Sequence, residues 1–238
     1  MTANRASGPA FDSSELKELK EKLVTACRIL DHEEVTDGYG HVSVRVPGAD
    51  AFITIANVSP GCVTVDRLIM QDFEGNHLAG AKTPPNEWPI HACILKARPD
   101  VESVAHTHSK WSTIFSVLPL KLKPVHHYGK FLSAEGPPVY QGIGLVRTME
   151  RGKELAAALG DGPAVLMRAH GDAVVGASIE QVVERTTRLA MLGEWNHLAL
   201  LHGEPRYLSS EELEVYNADQ RFPMRGWEYF VSRLNRKT

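Results

Sequence analysis

The spacing of apolar residues predicts helices at both ends of the chain and between them. Apolar side chains recur every three or four positions over 14–31, which indicates an amphipathic helix. The same spacing makes 179–201 the longest helical segment of the chain. Further helices are predicted over 87–97, 111–116 and 149–159, and two shorter helices after residue 201.

Short apolar runs predict strands between these helices. The predicted strands cover 41–46, 52–56, 68–73, 101–105, 122–126 and 164–169. The strands are concentrated in the first part of the chain, with helices before and after them. This order favours one layered domain of αβα or α+β type over two separate domains. We expect a flexible N-terminal tail over 1–13 and a single domain over 14–238 with a helical C-terminal extension.

Composition and charge are typical of a soluble globular protein. The 238 residues are 43% hydrophobic and 23% charged, with a formal net charge of -3. The absence of a basic excess predicts no nucleic-acid partner, and the absence of a long apolar run predicts no membrane span. The first residues lack the apolar core of a signal peptide. Three scattered cysteines, Cys27, Cys62 and Cys93, indicate a reducing compartment, so a cytoplasmic location is expected.

Three histidines at two predicted strand ends indicate a metal site. His106 and His108 are two positions apart at the end of one strand, so their side chains point to the same side. His170 follows a second strand, and Gly171 after it permits a close turn. Three imidazoles with an open fourth position are the arrangement of a catalytic metal. The alternative interpretations are that His106 and His108 are polar residues on a half-exposed strand, or core histidines whose nitrogens bond to the backbone.

Glu87 and His91 are candidate acid/base residues at the start of a helix. Their spacing of four places both on one helix face, where proton transfer between them and a substrate is feasible. A glutamate there also interacts favourably with the helix dipole, which is the simpler explanation. Asn86 is predicted to cap this helix, and Pro89 is tolerated in its first turn.

Other polar residues are candidates for substrate contacts. His41 follows a glycine turn whose backbone amides could meet an anion. His126 and His127 are adjacent, so at most one of them can face a common site if the segment is a strand. Either could be a ligand, a hydrogen-bond donor to substrate or a surface residue.

Several short motifs, taken in order, resemble the class II aldolase/adducin family. They are Gly40-His41-Val42-Ser43-Val44-Arg45, Ser59-Pro60-Gly61, Asn86-Glu87-Trp88 with His91, His106-Thr107-His108, and Arg168-Ala169-His170-Gly171. The likeness runs from about residue 15 to residue 205. It implies an α/β fold, an αβα sandwich with a central, mainly antiparallel sheet flanked by helices. It also implies that His106, His108 and His170 hold a divalent metal, that Glu87 is the acid/base, and that the protein is a homotetramer with active sites near subunit interfaces.

Departures from the family pattern bear on the substrate. The sugar-phosphate enzymes of the family usually have Gly-Asn where this chain has Gly40-His41, and Ser-Ser where it has Pro85-Asn86. Each lost donor to a phosphate dianion costs about 1–3 kcal/mol, so a phosphorylated sugar is disfavoured. With Pro124-Val125-His126-His127, the chain resembles the branch that contains metal-dependent decarboxylases of hydroxy-aromatic and hydroxy-pyridine dicarboxylates.

We therefore predict a metal-dependent carbon–carbon lyase that decarboxylates a hydroxy-substituted aromatic or heteroaromatic carboxylate or dicarboxylate. One divalent ion per subunit is expected, zinc or manganese, with iron or cobalt as alternatives, to stabilise a carbanion or enolate. Arg45 or Arg168 could neutralise a second carboxylate, since arginine binds carboxylates in a forked geometry. Tyr140 could reach a site from a neighbouring segment or subunit.

Two other functions remain open at this point. The first is an aldolase that cleaves a non-phosphorylated hydroxy-carbonyl compound, and release of an aldehyde instead of carbon dioxide would identify it. The second is a non-enzymatic interaction module of the adducin type. A binding module does not need three convergent imidazoles, so intact His106, His108 and His170 disfavour it.

Overall fold

A computed structural model describes residues 8–218 and 225–236. Within these residues the chain forms eight strands and seven helices. The strands are β1 (His41–Arg45), β2 (Ala51–Ile55), β3 (Leu68–Asp72), β4 (His77–Gly80), β5 (Ser103–Thr107), β6 (Val139–Tyr140), β7 (Ala164–Met167) and β8 (Gly171–Gly176). The helices are α1 (Ser14–His32), α2 (Trp88–Ala97), α3 (Lys110–Val117), α4 (Met149–Leu159), α5 (Ile179–Leu200), α6 (Ser210–Ala218) and α7 (Arg225–Leu234).

The eight strands form one sheet in the order β4-β3-β2-β1-β5-β8-β7-β6. All pairs are antiparallel except β6 with β7, which is parallel. The first strands follow one another through short turns. At the β3–β4 turn, the Asp72 carboxylate accepts hydrogen bonds from the backbone N–H groups of Glu74 and Asn76 at 3.0 and 2.8 Å. The predicted central, mainly antiparallel sheet is confirmed.

Helices cover both faces of the sheet. Helices α1, α5 and α7 contribute to one apolar cluster, and α2 and α4 contribute to another. Strand β5 in the middle of the sheet supplies both clusters, because Val104 packs in the second and its neighbour Ala105 in the first. Because both faces of the sheet are buried, successive side chains of a central strand are apolar, and the strands appear in the sequence as nearly continuous apolar runs. The predicted αβα sandwich is confirmed.

Most predicted elements form, and one strand prediction is wrong. Segment 122–126 has no strand, because its carbonyl groups bond elsewhere: Asn196 donates to the Lys123 oxygen at 2.8 Å and the Leu208 N–H donates to the Pro124 oxygen at 2.9 Å. Leu122 is buried by tertiary packing, and Pro124 has no N–H for a sheet ladder. Strands β4, β6 and β8 were not predicted from the sequence.

The predicted cap of α2 is also wrong by one residue. The N-cap is Glu87, and Asn86 precedes it in the connecting turn. The Glu87 side chain does not cap its own helix, because its carboxylate bonds to another segment. Pro89 lies in the first turn, as expected.

Of the predicted N-terminal tail, residues 1–7 lie outside the described residues. The Lys20 ammonium donates to the backbone oxygen of Phe11 at 2.7 Å, next to the start of α1. Among the helices that the structure describes, none is both long and apolar enough to cross a lipid bilayer. The extent of the domain, 14–238, stays a prediction.

Candidate metal centre

Strand β5 carries two of the three predicted ligands. His106 lies in the strand and is fully buried, and His108 follows the last strand residue. The ring centroids of His106 and His108 are 5.1 Å apart. His170 brings a third ring to the same point, 4.9 Å from His106 and 5.0 Å from His108. The structure thus brings together the three imidazoles predicted as metal ligands.

His170 reaches this point through a tight turn between β7 and β8. Ala169 has a φ of 56°, a conformation that is costly for a residue with a side chain. Helix α3 holds the turn, since Ser116 Oγ accepts the Ala169 N–H at 3.0 Å and Thr113 Oγ1 donates to the His170 oxygen at 3.2 Å. A Cβ on Gly171 would lie 2.0 Å from the Thr107 oxygen, so only glycine permits this approach of β8 to β5.

Glu87 adds a carboxylate to the three rings. One of its oxygens, Oε1, accepts the Val146 N–H at 2.6 Å. The other, Oε2, lies 3.5 Å from His106 Nε2 and 3.3 Å from His170 Nε2. Burial opposes ionisation, but the adjacent His106 and His170 rings outweigh it and hold the pKa of Glu87 below its ordinary value. The carboxylate therefore points at the cluster in its charged form.

These four residues fit a metal ion. Their ligand atoms all lie within 4.8 Å of one another. The Nε2 atoms of His106, His108 and His170 are buried and have no hydrogen-bond partner among the described residues. Buried polar atoms without partners are rare, and imidazole nitrogens with a carboxylate oxygen are a typical donor set for a divalent cation.

The surroundings prepare the rings for coordination. His106 Nδ1 donates to the Asp172 backbone oxygen at 2.8 Å, which leaves its Nε2 lone pair free. His108 Nδ1 lies 3.4 Å from the Asp37 carboxylate. Burial and the neighbouring His106 lower the pKa of His108 to about 4, so this ring is neutral at physiological pH, as a ligand must be.

A chain of buried hydrogen bonds lies behind the cluster. His41 pairs with His106 across β1 and β5, and the two ring centroids are 5.1 Å apart. His41 Nδ1 is 2.6 Å from His91 Nε2, and His91 Nδ1 is 2.6 Å from Ser43 Oγ. Burial and the nearby His106 lower the pKa of His91 to about 3. His91 is 0% exposed and meets the cleft only through His41.

A cleft of about 470 Å³ opens onto this cluster, and Glu87, His106 and His108 form part of its wall. Its other polar side chains include His41, Asn57, Ser59, Asn86 and Arg147. Cavities of about 300–1,000 Å³ with a few converging polar groups are typical of small-molecule sites. A larger cleft of about 730 Å³ beside α5 and α7 has no such cluster in its wall.

Several residues predicted to contact substrate lie elsewhere. The Arg45 guanidinium donates to the backbone oxygens of Leu95, Arg98 and Val101. The Tyr140 hydroxyl donates to Glu154 at 2.8 Å. Arg168 is exposed and is not part of the cleft wall. The structure does not bring these three side chains to the cleft.

His126 and His127 also lie away from the cleft of their own chain. The His126 ring packs against Trp195 with centroids 4.8 Å apart, and the His127 ring lies 5.6 Å from that of Tyr216. Their segment begins a 3₁₀ turn in which His126 caps the Tyr128 N–H. Both therefore belong to an aromatic patch beside α5 and α6.

Several residues at the site were not predicted from the sequence, among them Asp172 and Arg147. Asp172 orients His106 through its backbone oxygen, and Arg147 lines the cleft. No spacing signal could have found Asp172, because a backbone contact carries no side-chain pattern. Arg147 precedes Thr148, the N-cap of α4, and an arginine just before a helix does not stand out in a sequence.

Fold and site together define an α/β protein with a histidine–carboxylate cluster, suited to a divalent metal ion, at the edge of a cleft. Residues 21–196 match the family described as Class II Aldolase and Adducin N-terminal domain. The chain belongs to this family. Its aldolases depend on divalent metals, which agrees with the donor set formed by Glu87 and the three histidines.

Named relatives fall into two reaction types. A 3,4-dihydroxyphthalate decarboxylase from Arthrobacter keyseri is 31% identical over 179 residues, which covers 69% of this chain and 71% of the relative. A 5-methylthioribulose-1-phosphate/5-deoxyribulose-1-phosphate aldolase from Rhodospirillum rubrum is 27% identical over 197 residues, which covers 82% and 88%. The family and these relatives support a metal-dependent lyase.

A solved structure supports the fold. The aldolase II superfamily protein from Pseudomonas syringae has a TM-score of 0.81 to this chain at 23% sequence identity, covering 93% of this chain and 94% of that one. The whole αβα sandwich is therefore the fold of known class II aldolase proteins.

Proposed function

We propose that this protein is a metal-dependent decarboxylase of a hydroxy-substituted aromatic or heteroaromatic dicarboxylate. One observation carries the proposal: three buried imidazole nitrogens, without a hydrogen-bond partner in the described residues, converge with a carboxylate at a cleft. The decarboxylase relative that is 31% identical supports loss of carbon dioxide over loss of an aldehyde.

On this proposal His106, His108 and His170 hold a divalent ion, zinc or manganese by ligand type. When bound, the cation acts as a Lewis acid toward the negative charge that develops as a carbon–carbon bond breaks. Asp172 keeps His106 in the coordinating tautomer. Asp37 is placed to do the same for His108.

Glu87 serves as the base in this proposal. Its carboxylate is ionised and Oε2 faces the cluster, so this oxygen is placed to accept the proton of a substrate hydroxyl. The Val146 N–H fixes one carboxylate oxygen, which leaves the other facing the cluster. A glutamate anchored in this way loses little freedom when substrate binds.

His41 is the proposed proton donor to the ring carbon from which carbon dioxide departs. Its Nδ1 is engaged by His91, so Nε2 is the nitrogen available to a ligand in the cleft. His91 and Ser43 act as positioning residues, because they fix the His41 ring from behind without touching the cleft. This assignment gives His91 a role through His41 and no direct contact with substrate.

We further propose a cytoplasmic homotetramer. Exposed apolar side chains at Val117, Leu118 and Leu120 support assembly, because contiguous exposed apolar residues are typical of interfaces. His126 and His127 stay candidate substrate residues for the cleft of a neighbouring subunit, since they do not line their own.

The test is product analysis with metal-loaded protein. We expect 3,4-dihydroxyphthalate to release one carbon dioxide per molecule consumed and to leave a dihydroxybenzoate. Release of an aldehyde from a hydroxy-carbonyl compound, with no carbon dioxide from any hydroxy-aromatic carboxylate, would instead establish the aldolase favoured by the 27% identical relative. If the purified protein retains no metal and shows no turnover when metals are added, the result would favour a non-enzymatic interaction module of the adducin type.

A further inference from the structure

Arg147 lines the same cleft as the candidate metal ligands. Among the lining residues that the structure describes, it is the one lysine or arginine. Its side chain is exposed, and its guanidinium makes no hydrogen bond or ion pair to another residue in the described part of the chain. Arginine has five donors in a rigid fork, and the part of the chain that the structure describes uses none of those of Arg147.

The backbone that carries Arg147 is fixed on both sides. Val146, directly before it, is 0% exposed and donates its N–H to Glu87 Oε1 at 2.6 Å. Thr148, directly after it, caps α4 by accepting the Arg151 N–H at 3.3 Å. Arg151 also donates to the backbone oxygens of Ile143 and Leu145 at 2.9 and 3.2 Å. The unpaired guanidinium is thus presented from an anchored segment, one residue from the contact that orients Glu87.

We propose that Arg147 binds the carboxylate that the substrate keeps, and that it makes the cleft selective for dicarboxylates. This inference rests on the proposed decarboxylation. One carboxylate, beside the hydroxyl, lies toward the histidine cluster and leaves as carbon dioxide. The second, on the adjacent ring position, meets the guanidinium in a forked pair of charge-assisted hydrogen bonds.

The cleft favours a carboxylate over a phosphate for this partner. A phosphate dianion carries two negative charges, whereas the described cleft wall has one lysine or arginine, Arg147, beside the neutral donors of Tyr39, Asn57, Ser59 and Asn86. A carboxylate has two oxygens, and one arginine fork satisfies both. The other arginines considered for this role are unsuited, because Arg45 is bonded to backbone oxygens and Arg168 lies outside the cleft wall.

The first arm of the test measures binding of ligands that cannot react. Phthalate, benzoate and inorganic phosphate are titrated by calorimetry into metal-loaded wild type and Arg147→Gln. We expect Arg147→Gln to raise the Kd of phthalate roughly tenfold, from the loss of a charge-assisted pair, and that of benzoate by less than twofold. Arg147→Lys should recover part of the affinity, because it restores charge without the fork. Equal effects on phthalate and benzoate, or a larger effect on phosphate, would overturn the assignment.

The second arm measures turnover of two substrates that share the hydroxyl-carboxylate unit. 3,4-Dihydroxyphthalate has the second carboxylate, and 2,3-dihydroxybenzoate lacks it. Arg147→Gln should lower kcat/KM for the first roughly tenfold or more and leave the second within twofold. Lys96→Gln is the matched control: it removes an exposed cation paired with Glu74 at the far end of α2, so both values should stay at wild type.

The two arms separate this inference from the proposed function. Wild type that binds phthalate through Arg147 but releases no carbon dioxide would support the subsite and refute the decarboxylation. If Arg147→Gln decarboxylates 3,4-dihydroxyphthalate as fast as wild type does, the subsite is refuted and the decarboxylation stands.

Discussion

The contact between β8 and β5 at Gly171 decides whether His170 can meet the other two rings. A Cβ at this position would lie 2.0 Å from the Thr107 oxygen and 3.2 Å from the His108 Cα. Gly171 does not have a positive φ, so the Gly171→Ala variant is strained by this collision and not by its own backbone conformation. The obstacle is backbone in the middle of the sheet, which cannot rotate away as a side chain can.

The structure sets the size of the effect. To reach ordinary van der Waals contact at 3.4 Å, the two strands must separate by roughly 1.4 Å at this end. Such overpacking costs about 1–3 kcal/mol, and weakening one or two ladder hydrogen bonds adds about 1 kcal/mol. We expect Gly171→Ala to lose about 2–4 kcal/mol of unfolding free energy, which lowers Tm by roughly 5–15 °C for a chain of this size.

The assay is thermal unfolding in the presence of a chelator, so that metal loss does not contribute to the shift. Gly38→Ala is the control, because nothing lies within 4 Å of a Cβ there and its Tm should equal that of wild type. Metal affinity, measured separately, should fall at least tenfold in Gly171→Ala, since the ligands on either side of the contact move apart. A Tm within about 2 °C of wild type would refute the reasoning.

Three further substitutions probe the centre. His108→Ala should remove most of the bound metal while the far-ultraviolet circular dichroism stays unchanged, and wild-type metal content by elemental analysis would contradict its role as a ligand. Glu87→Gln should retain metal but lower kcat by roughly 10²–10⁴-fold, whereas wild-type kcat would show that the carboxylate is not the base. Thr107→Val removes a 2.8 Å hydrogen bond to the buried Asp172 carboxylate and should cost about 1–3 kcal/mol in urea unfolding, and a loss below about 0.5 kcal/mol would disprove its importance.

Strong local periodicity made much of the fold predictable. Helix α4 was predicted over 149–159 and forms as Met149–Leu159, because its apolar spacing and its cap at Thr148 are both local features. Strand β4 was missed because it is a largely exposed edge strand without an apolar pattern. Strand β6 has two residues, too few for any periodicity to show.

The candidate site residues also fall into two groups: those whose position follows from local geometry and those whose position depends on distant segments. His106 and His108 share one strand, so their common direction follows from local geometry. The placement of Arg45 could not be predicted from local patterns. Its partners are the backbone oxygens of Leu95 and Val101, which are 50 and 56 residues away in sequence. The sequence does not distinguish an arginine that binds a ligand from one that donates hydrogen bonds to backbone oxygens of a distant segment.

From the sequence alone follow the layered α/β architecture, the family resemblance, three imidazoles as candidate metal ligands and Glu87 as a candidate acid/base residue. These follow from periodicity and motif spacing, which are properties of short segments. The three-dimensional packing was needed to show that His170 joins His106, that His91 lies behind His41, and that Arg147, not Arg45, lines the cleft. The physical reason is that strand order and helix packing bring distant segments together, and each buried polar group then takes whichever partner that packing supplies.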